Sequence, residues 1–110
     1  MRVELLYWDG CPSHPQALSD LQGAMRELGL DPDAIEVRHV ASDDAAAAQA
    51  FVGSPTIRID GTDISDPGEE PVGLTCRVYY LRDGRVSAVP DPDDLRDALR
   101  RAHHTSEEPA

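Results

Sequence analysis

Apolar side chains near the start of the chain follow two different patterns, which predict a strand and then a helix. Residues 2–8 are apolar on both faces, as in a central strand that helices cover on both sides. In residues 15–28 the apolar positions recur at steps of three and four, which predicts an amphipathic helix packed on the sheet. Gly29 follows this segment and is expected to end the helix in a left-handed conformation.

A second strand and a short helix are predicted next. Residues 35–40 alternate between apolar and polar positions, which is typical of a half-buried strand. Ser42 is placed to cap a helix that runs through the following alanines to Phe51, and Gly53 is expected to close it. The first half of the chain therefore predicts a parallel, right-handed βαβ unit.

The second half of the chain predicts antiparallel strands. Residues 56–64 alternate around an Asp-Gly pair, which is a strong signal for a hairpin. Residues 65–75 contain two prolines and two glycines and are predicted to form a loop. A second hairpin is predicted for residues 77–89, in which one of Tyr79 and Tyr80 packs while the other is exposed.

A final helix completes the predicted domain. Asp93 is placed to cap this helix. Its inward-facing stripe is formed by Leu95, Ala98, Leu99 and Ala102. We predict one α/β domain over residues 1–102, because a chain of 110 residues is long enough for a single core. Residues 103–110 are predicted to be a flexible tail.

The charge of the chain narrows the classes of partner. Ten basic and 21 acidic side chains give a formal net charge of −11, which opposes binding to phosphate backbones and to anionic lipid. No apolar stretch approaches the roughly 18–20 residues that span a bilayer. We therefore expect no nucleic-acid partner and no membrane partner. Because the chain has only two cysteines and its first residues lack the features of a secretory signal, the expected compartment is the cytoplasm.

Cys11 is the residue whose position says most about chemistry, because it stands where the first strand ends and the first helix begins. A helix N-terminus carries unpaired backbone N–H groups and partial positive charge, both of which favour a thiolate over a thiol. The thiolate is the form that attacks disulfides and binds soft metals. Cys11 is therefore predicted to be reactive.

Two short motifs relate the chain to a known family. Gly10-Cys11-Pro12-Ser13-His14 follows the first strand, and Ser54-Pro55-Thr56 opens the third. Together with the order of elements, these motifs resemble the thioredoxin-like superfamily over nearly the whole chain. The resemblance implies an α/β fold of the βαβ-α-ββα type, a three-layer sandwich, with the second hairpin added before the last helix.

The same resemblance implies where a ligand binds. Pro55 is expected to be cis and to face Cys11, and the cis form costs little for an X-Pro bond. The backbone of Ser54 would then be free to pair with an extended peptide or a glutathione-like ligand. The residues expected to bind the ligand are Trp8, Pro12, Ser54, Pro55 and Thr56.

The chain departs from the family pattern at His14, which stands where thioredoxins carry a second cysteine. This departure excludes exchange between two cysteines within one turn of helix. In a first mechanism, Cys11 attacks a disulfide or a glutathione mixed disulfide as a single thiol, and an external thiol resolves the product. His14 would stabilise the thiolate or move its proton, the alternative being a first-turn residue without a role.

Cys76 opens a second mechanism. It would resolve the Cys11 intermediate if the loop at residues 65–75 closes over the site. The two thiolates would otherwise hold a soft metal such as Hg(II), Zn or Cu(I), together with His14 or Asp9. The competing interpretation of Cys76 is a small buried apolar residue at the start of a strand.

A second resemblance concerns mercury. Ser54-Pro55-Thr56 and Cys76-Arg77-Val78-Tyr79 are similar to segments of small proteins labelled alkylmercury-lyase-like. Cleavage of a carbon–mercury bond needs thiolates that hold the metal and an acid that protonates the leaving carbon. The acid would come from Asp9, Asp63 or His14.

A third interpretation is a redox-inactive binding module. The residues favour thiol–disulfide oxidoreductase chemistry instead, with Cys11, His14 and Cys76 as the catalytic residues and with Cys11 and Cys76 as the candidate metal ligands. This chemistry requires no cofactor, although glutathione or a soft metal ion would bind. The expected partner is a small thiol or a disulfide-bearing protein.

Overall fold

The elements of the protein follow one another in the predicted α/β order. The computed structural model describes residues 1–107, and the last three residues of the predicted tail lie outside this part. The elements are β1 (Val3–Tyr7), α1 (His14–Glu27), β2 (Ile35–His39), α2 (Asp43–Ala48), β3 (Thr56–Ile59), β4 (Thr62–Asp63), β5 (Tyr79–Tyr80), β6 (Val86–Ser87) and α3 (Pro92–Glu107).

β1 is an inner strand of a four-stranded mixed sheet with the order β2-β1-β3-β4. β2 runs parallel to β1, β3 runs antiparallel to it, and β4 pairs antiparallel with β3. The predicted central strand and its parallel neighbour are thereby confirmed. The first hairpin is also confirmed, because Asp60 and Gly61 have the positive φ angles, 52° and 82°, that a tight turn between twisted strands requires.

Both faces of the sheet are covered by hydrophobic clusters. Neighbouring residues of β1 point to opposite faces and so belong to different clusters. Leu5 packs in a hydrophobic cluster with residues of α1 and α3. Leu6 packs in a second cluster that contains Ala46 of α2 and Phe51. The stripe predicted for the last helix packs in or against the first cluster through Leu95, Ala98, Leu99 and Ala102.

The ends of the first two helices differ in how well the sequence predicts them. Gly29 follows α1 with a φ of 73°, as predicted. The prediction that Gly53 closes α2 is wrong, because that helix is capped by Gln49 and the left-handed residue after it is Ala50, with a φ of 51°. The side chain of Arg58 donates to the carbonyls of Gln49 and Ala50 at 2.6 and 3.3 Å, which satisfies the end of the helix.

The cap predicted at Asp93 is wrong as well. α3 begins at Pro92, and the carboxylate of Asp91 just before it accepts the backbone N–H of Asp93 at 2.9 Å. Proline suits the first helical position, where the backbone N–H would have no intrahelical partner. The helix continues to Glu107, so residues 103–107 of the predicted tail are helical. No helix of the described chain is long and apolar enough to cross a membrane.

The second hairpin forms a two-stranded sheet of its own, β5-β6, before α3. Tyr79 pairs with Ser87, and Tyr80 pairs with Val86. Tyr79 is buried and Tyr80 is 67% exposed, which confirms the predicted split between the two tyrosines. The loop predicted at residues 65–75 is free of helices and strands.

Candidate functional site

Cys11 lies in a tight turn between β1 and α1. Its backbone N–H donates to the carbonyl of Trp8 at 3.1 Å. The indole ring of Trp8 lies against Gly10, where a Cβ atom would come within 2.3 Å of the ring, so a side chain at this position would displace the ring. The turn leaves Cys11 only 3% exposed, as a buried thiol close to the start of a helix.

Ser13 stands at the cap position of α1 but does not cap it. Its side chain makes no hydrogen bond to the helix backbone. The hydroxyl oxygen lies instead 3.3 Å from the sulfur of Cys11. The residue that would normally satisfy the helix end therefore interacts with the thiol.

His14 contacts the backbone of Cys11 rather than its sulfur. Its Nδ1 atom lies 3.5 Å from the Cys11 carbonyl oxygen, and its ring stacks on Tyr7 with 4.1 Å between the ring centroids. Tyr7 also stacks on His39, which pairs with the carboxylate of Asp9 at 2.9 Å. A role for His14 in modulating the thiolate stays a prediction.

Cys76 reaches the site because the chain around it pairs with the residue before the cis proline. We call residues 75–79 the covering segment. The backbone N–H of Ser54 donates to the carbonyl of Thr75 at 2.8 Å, and the N–H of Arg77 donates to the carbonyl of Ser54 at 2.9 Å. These bonds form a parallel bridge between Ser54 and Cys76. The prediction that the Ser54 backbone is free for an extended ligand is therefore wrong, because the protein's own chain occupies it.

Arg77 anchors the covering segment. Its guanidinium donates to the carboxylate of Asp63 at 2.7 Å, in an ion pair whose side chains are only 9% and 11% exposed. It also donates to the carbonyl of Ser65 at 2.6 Å and to the hydroxyl of Thr56 at 3.2 Å, and it lies over the ring of Tyr79. With several donors satisfied, the guanidinium ties together β3, β4 and the loop after them.

Tyr79 fixes the other end of the covering segment. Its hydroxyl donates to the carbonyl of Pro55, and burial raises the pKa of this phenol above its ordinary value. The Ser54–Pro55 peptide bond is cis, as predicted. The ring of Pro55 is fully buried, however, so it lies under the protein's own chain and does not line an open groove.

The two thiols interact, and the interaction separates their acidities. Burial opposes ionisation of Cys11, but hydrogen bonds from Cys76 and from Ser13 outweigh it, so the pKa of Cys11 lies below that of an ordinary thiol. The same interaction with Cys11 raises the pKa of Cys76, with a smaller contribution from burial. The pair therefore favours a thiolate on Cys11 and a thiol on Cys76.

The thiol with the lower pKa is also the less accessible of the two. Both cysteines are free, Cys11 being buried and Cys76 exposed. Cys76 lines a surface cavity of about 510 Å³ between the covering segment and the loop at residues 65–71. The interpretation of Cys76 as a small buried apolar residue is therefore wrong.

The remaining residues predicted to bind a ligand differ in burial and in their contacts. Trp8 is half-buried and packs against the second hydrophobic cluster, and Pro12 is exposed. Ser54, Pro55 and Thr56 are buried. Thr56 donates its hydroxyl to the carbonyl of Gly53 at 2.6 Å, whereas the hydroxyl of Ser54 has no hydrogen-bond partner among the described residues.

Ser13 and Arg77 are site residues that sequence reasoning missed. A serine at the start of a helix is normally interpreted as a cap, and only its spacing of two from Cys11 could have indicated the thiol contact. An arginine at the start of a predicted hairpin is normally expected to be exposed. Nothing in the sequence pairs Arg77 with Asp63, because that contact depends on how the loop between them folds.

The acids and extra ligands predicted for a mercury site are engaged elsewhere. Asp9 pairs with His39, Asp63 pairs with Arg77, and the ring of His14 stacks on Tyr7. Within the part of the chain that the structure describes, no three histidine, cysteine or acidic side chains come together as a metal site. The arrangement can therefore offer a soft metal two thiols, but not a third ligand from this set.

Comparison of the chain with protein-family models, curated proteins and solved structures found no match. The functional argument therefore depends on the geometry of the two thiols and on the chain that holds them.

Proposed function

We propose that this protein is a thiol–disulfide oxidoreductase that cycles between a Cys11/Cys76 dithiol and a Cys11–Cys76 disulfide. Its partner is a small thiol or a disulfide-bearing protein. The observation that carries the proposal is the covering segment, whose backbone pairs with Ser54 beside the cis proline and whose Cys76 interacts with Cys11. The site thus combines two thiols from distant parts of the chain.

The fold that we propose for this cycle is the thioredoxin-like sandwich. The sheet order β2-β1-β3-β4 supports it, together with the cis Ser54–Pro55 bond at the start of β3. The second cysteine differs from the usual arrangement, since it comes from the chain that covers the cis proline rather than from α1.

The redox step is a balanced two-electron exchange. The dithiol loses two electrons and two protons as the bond between the two sulfurs forms, and a disulfide partner takes them up as it becomes two thiols. The lowered pKa of Cys11 favours the exchange, because the thiolate is the reactive form of the pair.

The test is reversible oxidation of the whole protein. Oxidation should lower the mass of the intact monomer by about 2 Da and join the peptides that contain Cys11 and Cys76, and a dithiol reductant should reverse both changes. The variants Cys11→Ser and Cys76→Ser are the matched controls and should not form the intramolecular bond. A wild-type protein in which both thiols persist under oxidant would refute the proposal.

Binding of a soft metal is the second candidate function, because two facing thiols suit the linear coordination that Hg(II) and Cu(I) accept. The candidate acids for carbon–mercury cleavage have other partners, so the candidate is binding and not lyase chemistry. Titration with Hg(II) tests it. One metal ion should bind per protein and either single cysteine variant should lose that affinity. Equal binding by Cys76→Ser would exclude a clamp between the two thiols.

A further inference from the structure

We propose that the exchange partner is joined to the protein at Cys76, and that this partner is an uncharged or cationic thiol with an apolar body. This inference depends on the proposed dithiol cycle. It reverses the assignment that the sequence suggests, in which Cys11 meets the partner and Cys76 resolves the product.

Accessibility assigns the partner to Cys76. Cys11 is buried, whereas Cys76 is exposed on the wall of the cavity. A nucleophilic displacement at sulfur needs the attacking, central and leaving sulfurs roughly in line, so the attacked sulfur must be open to solvent on the side away from its partner. Cys76 meets this requirement and Cys11 does not.

The covering segment presents an apolar surface beside Cys76. Arg77 and Tyr79 turn inward to their partners, and Val78 between them faces out. Val78 is 57% exposed, and the cross-strand pair of Tyr80 and Val86 is 67% exposed at both residues. Val78 and Tyr80 also line the cavity that contains Cys76. A cluster of exposed large apolar side chains at a cavity of about 510 Å³, a volume typical of sites for small ligands, fits the apolar body of a bound partner.

The charges around the cavity oppose an anionic partner. Asp66 and Glu70 line its wall on the loop side. Among the described residues that line the cavity, Arg77 is the one cation, and it is already paired with Asp63 in a nearly buried ion pair. The net charge of −11 adds a long-range repulsion of anions. Glutathione, which carries a net negative charge, is therefore a poorer partner than a neutral or cationic thiol.

The exchange proceeds through a mixed disulfide on Cys76. In the reductive direction, an external thiolate attacks the sulfur of Cys76, forms the mixed disulfide, and releases Cys11 as a thiolate. A second external thiol then attacks the mixed disulfide, so that Cys76 becomes a thiol and the two partner molecules leave as one disulfide. The reverse sequence oxidises the protein at the expense of an external disulfide.

The acidities of the two thiols agree with this order. A thiol with a lower pKa leaves faster, and the pKa of Cys11 lies below its ordinary value. In the oxidising direction, the Cys11 thiolate accepts the proton of the Cys76 thiol and later passes it to the departing partner thiolate, since the two side chains interact. Cys76 then attacks the external disulfide as the more basic and intrinsically more nucleophilic sulfur.

The first experiment locates the mixed disulfide in the wild-type protein. The protein is oxidised, the intramolecular disulfide is verified by mass, and a short pulse of β-mercaptoethanol is quenched with N-ethylmaleimide in denaturant. Peptide mapping should find mercaptoethanol on Cys76 and maleimide on Cys11. Mercaptoethanol on Cys11 would overturn the inference but leave the proposed function intact, whereas failure to form the disulfide in the first step would refute the proposed function itself.

The second experiment tests the chemical class of the partner. The reduced protein is oxidised by cystamine, hydroxyethyl disulfide or oxidised glutathione, each rate being divided by that of a free small thiol to remove intrinsic reactivity. The relative rate with glutathione should be about tenfold below that with hydroxyethyl disulfide, and cystamine should be fastest. Glu70→Gln should reduce the differences between the relative rates with the three disulfides. Glu69→Gln removes the same charge from a neighbour outside the cavity lining and should reduce them less. Equal relative rates for the three disulfides would exclude the charge preference.

Discussion

Cys11 and Cys76 meet at one site, but the two regions that carry them are held by different forces. Cys11 follows β1, whose side chains pack on both faces of the sheet in two hydrophobic clusters. Cys76 belongs to the covering segment, which is held by two backbone hydrogen bonds to Ser54, by the ion pair and hydrogen bonds of Arg77, and by one tyrosine hydroxyl. The first thiol therefore depends on the core of the domain, and the second depends on a few polar contacts that can be removed one at a time.

The largest expected effect comes from the core. Leu5→Ala removes a fully buried side chain from β1 and should lower the free energy of unfolding by about 2–5 kcal/mol, a large share of the stability of a small domain. Chemical denaturation monitored by circular dichroism measures this change. Val37→Ala, at a position of β2 that is 47% exposed, is the control and should change stability far less. Similar losses in both variants would contradict the packing described for β1.

Removing the anchor of the covering segment should come next. Arg77→Met leaves the carboxylate of Asp63 without its partner in a nearly buried position, which should cost roughly 3 kcal/mol. It should also release the segment, so that alkylation of Cys11 becomes faster. Arg85→Met breaks the exposed pair with Asp83 and should cost less than about 1 kcal/mol.

Mass spectrometry of the alkylated protein separates these effects. A covering segment that needs Arg77 predicts faster labelling of Cys11 in Arg77→Met and unchanged labelling in Arg85→Met. If Cys11 reacts at the same rate in both variants under native conditions, the covering segment does not need Arg77 to stay in place.

An effect of intermediate size is expected on the acidity of Cys11. Hydrogen bonds from Cys76 and Ser13 lower its pKa against the opposing effect of burial, so its thiolate persists to a lower pH than an ordinary thiolate. Ser13→Ala and Cys76→Ala should each move the midpoint of the alkylation rate to higher pH, because each removes one of these bonds. The pH profile of iodoacetamide labelling measures the midpoint, and a shift to lower pH in either variant would contradict the assigned contacts.

The smallest effect is expected at the residue before the cis proline. The hydroxyl of Ser54 is buried without a hydrogen-bond partner among the described residues, so Ser54→Ala should be neutral or stabilising by up to about 1 kcal/mol. Thr56→Val is the comparison, because its hydroxyl donates to Gly53 and accepts from Arg77, and its loss should cost about 1–3 kcal/mol. A greater loss of stability in Ser54→Ala than in Thr56→Val would show that the hydroxyl of Ser54 has a hydrogen-bond partner.

The sequence predicts the regular elements well because they depend on local patterns. The two apolar faces of β1 and the Asp-Gly turn at the first hairpin are properties of a few neighbouring residues. The caps of α2 and α3 were harder to predict. Ala50 takes the left-handed position because the distant Arg58 satisfies the helix end, and this contact cannot be seen in the local sequence.

The candidate site also has a part that the sequence predicts and a part that it does not. Cys11 and the cis proline are marked by short motifs, whereas the position of Cys76 depends on how the loop at residues 65–75 returns to Ser54. Loops of this kind are fixed by individual long-range contacts, here the pair of Arg77 with Asp63, and not by a periodic pattern. Sequence reasoning therefore found both thiols, but it wrongly left the backbone of Ser54 free for a ligand.

The bridge between Ser54 and Cys76 brings a distant part of the chain to the site, and this affects the entropy of the unfolded chain once a disulfide forms. Cys76 follows Cys11 by 65 residues, so a bond between them would close a loop that contains α1, β2, α2 and the first hairpin. Closing a loop of this length removes enough conformational entropy from the unfolded chain to favour folding by about 4 kcal/mol. By the same thermodynamic cycle, the folded chain resists reduction of the disulfide more than the unfolded chain does. Resistance to heat and to proteolysis would then report the oxidation state of the protein.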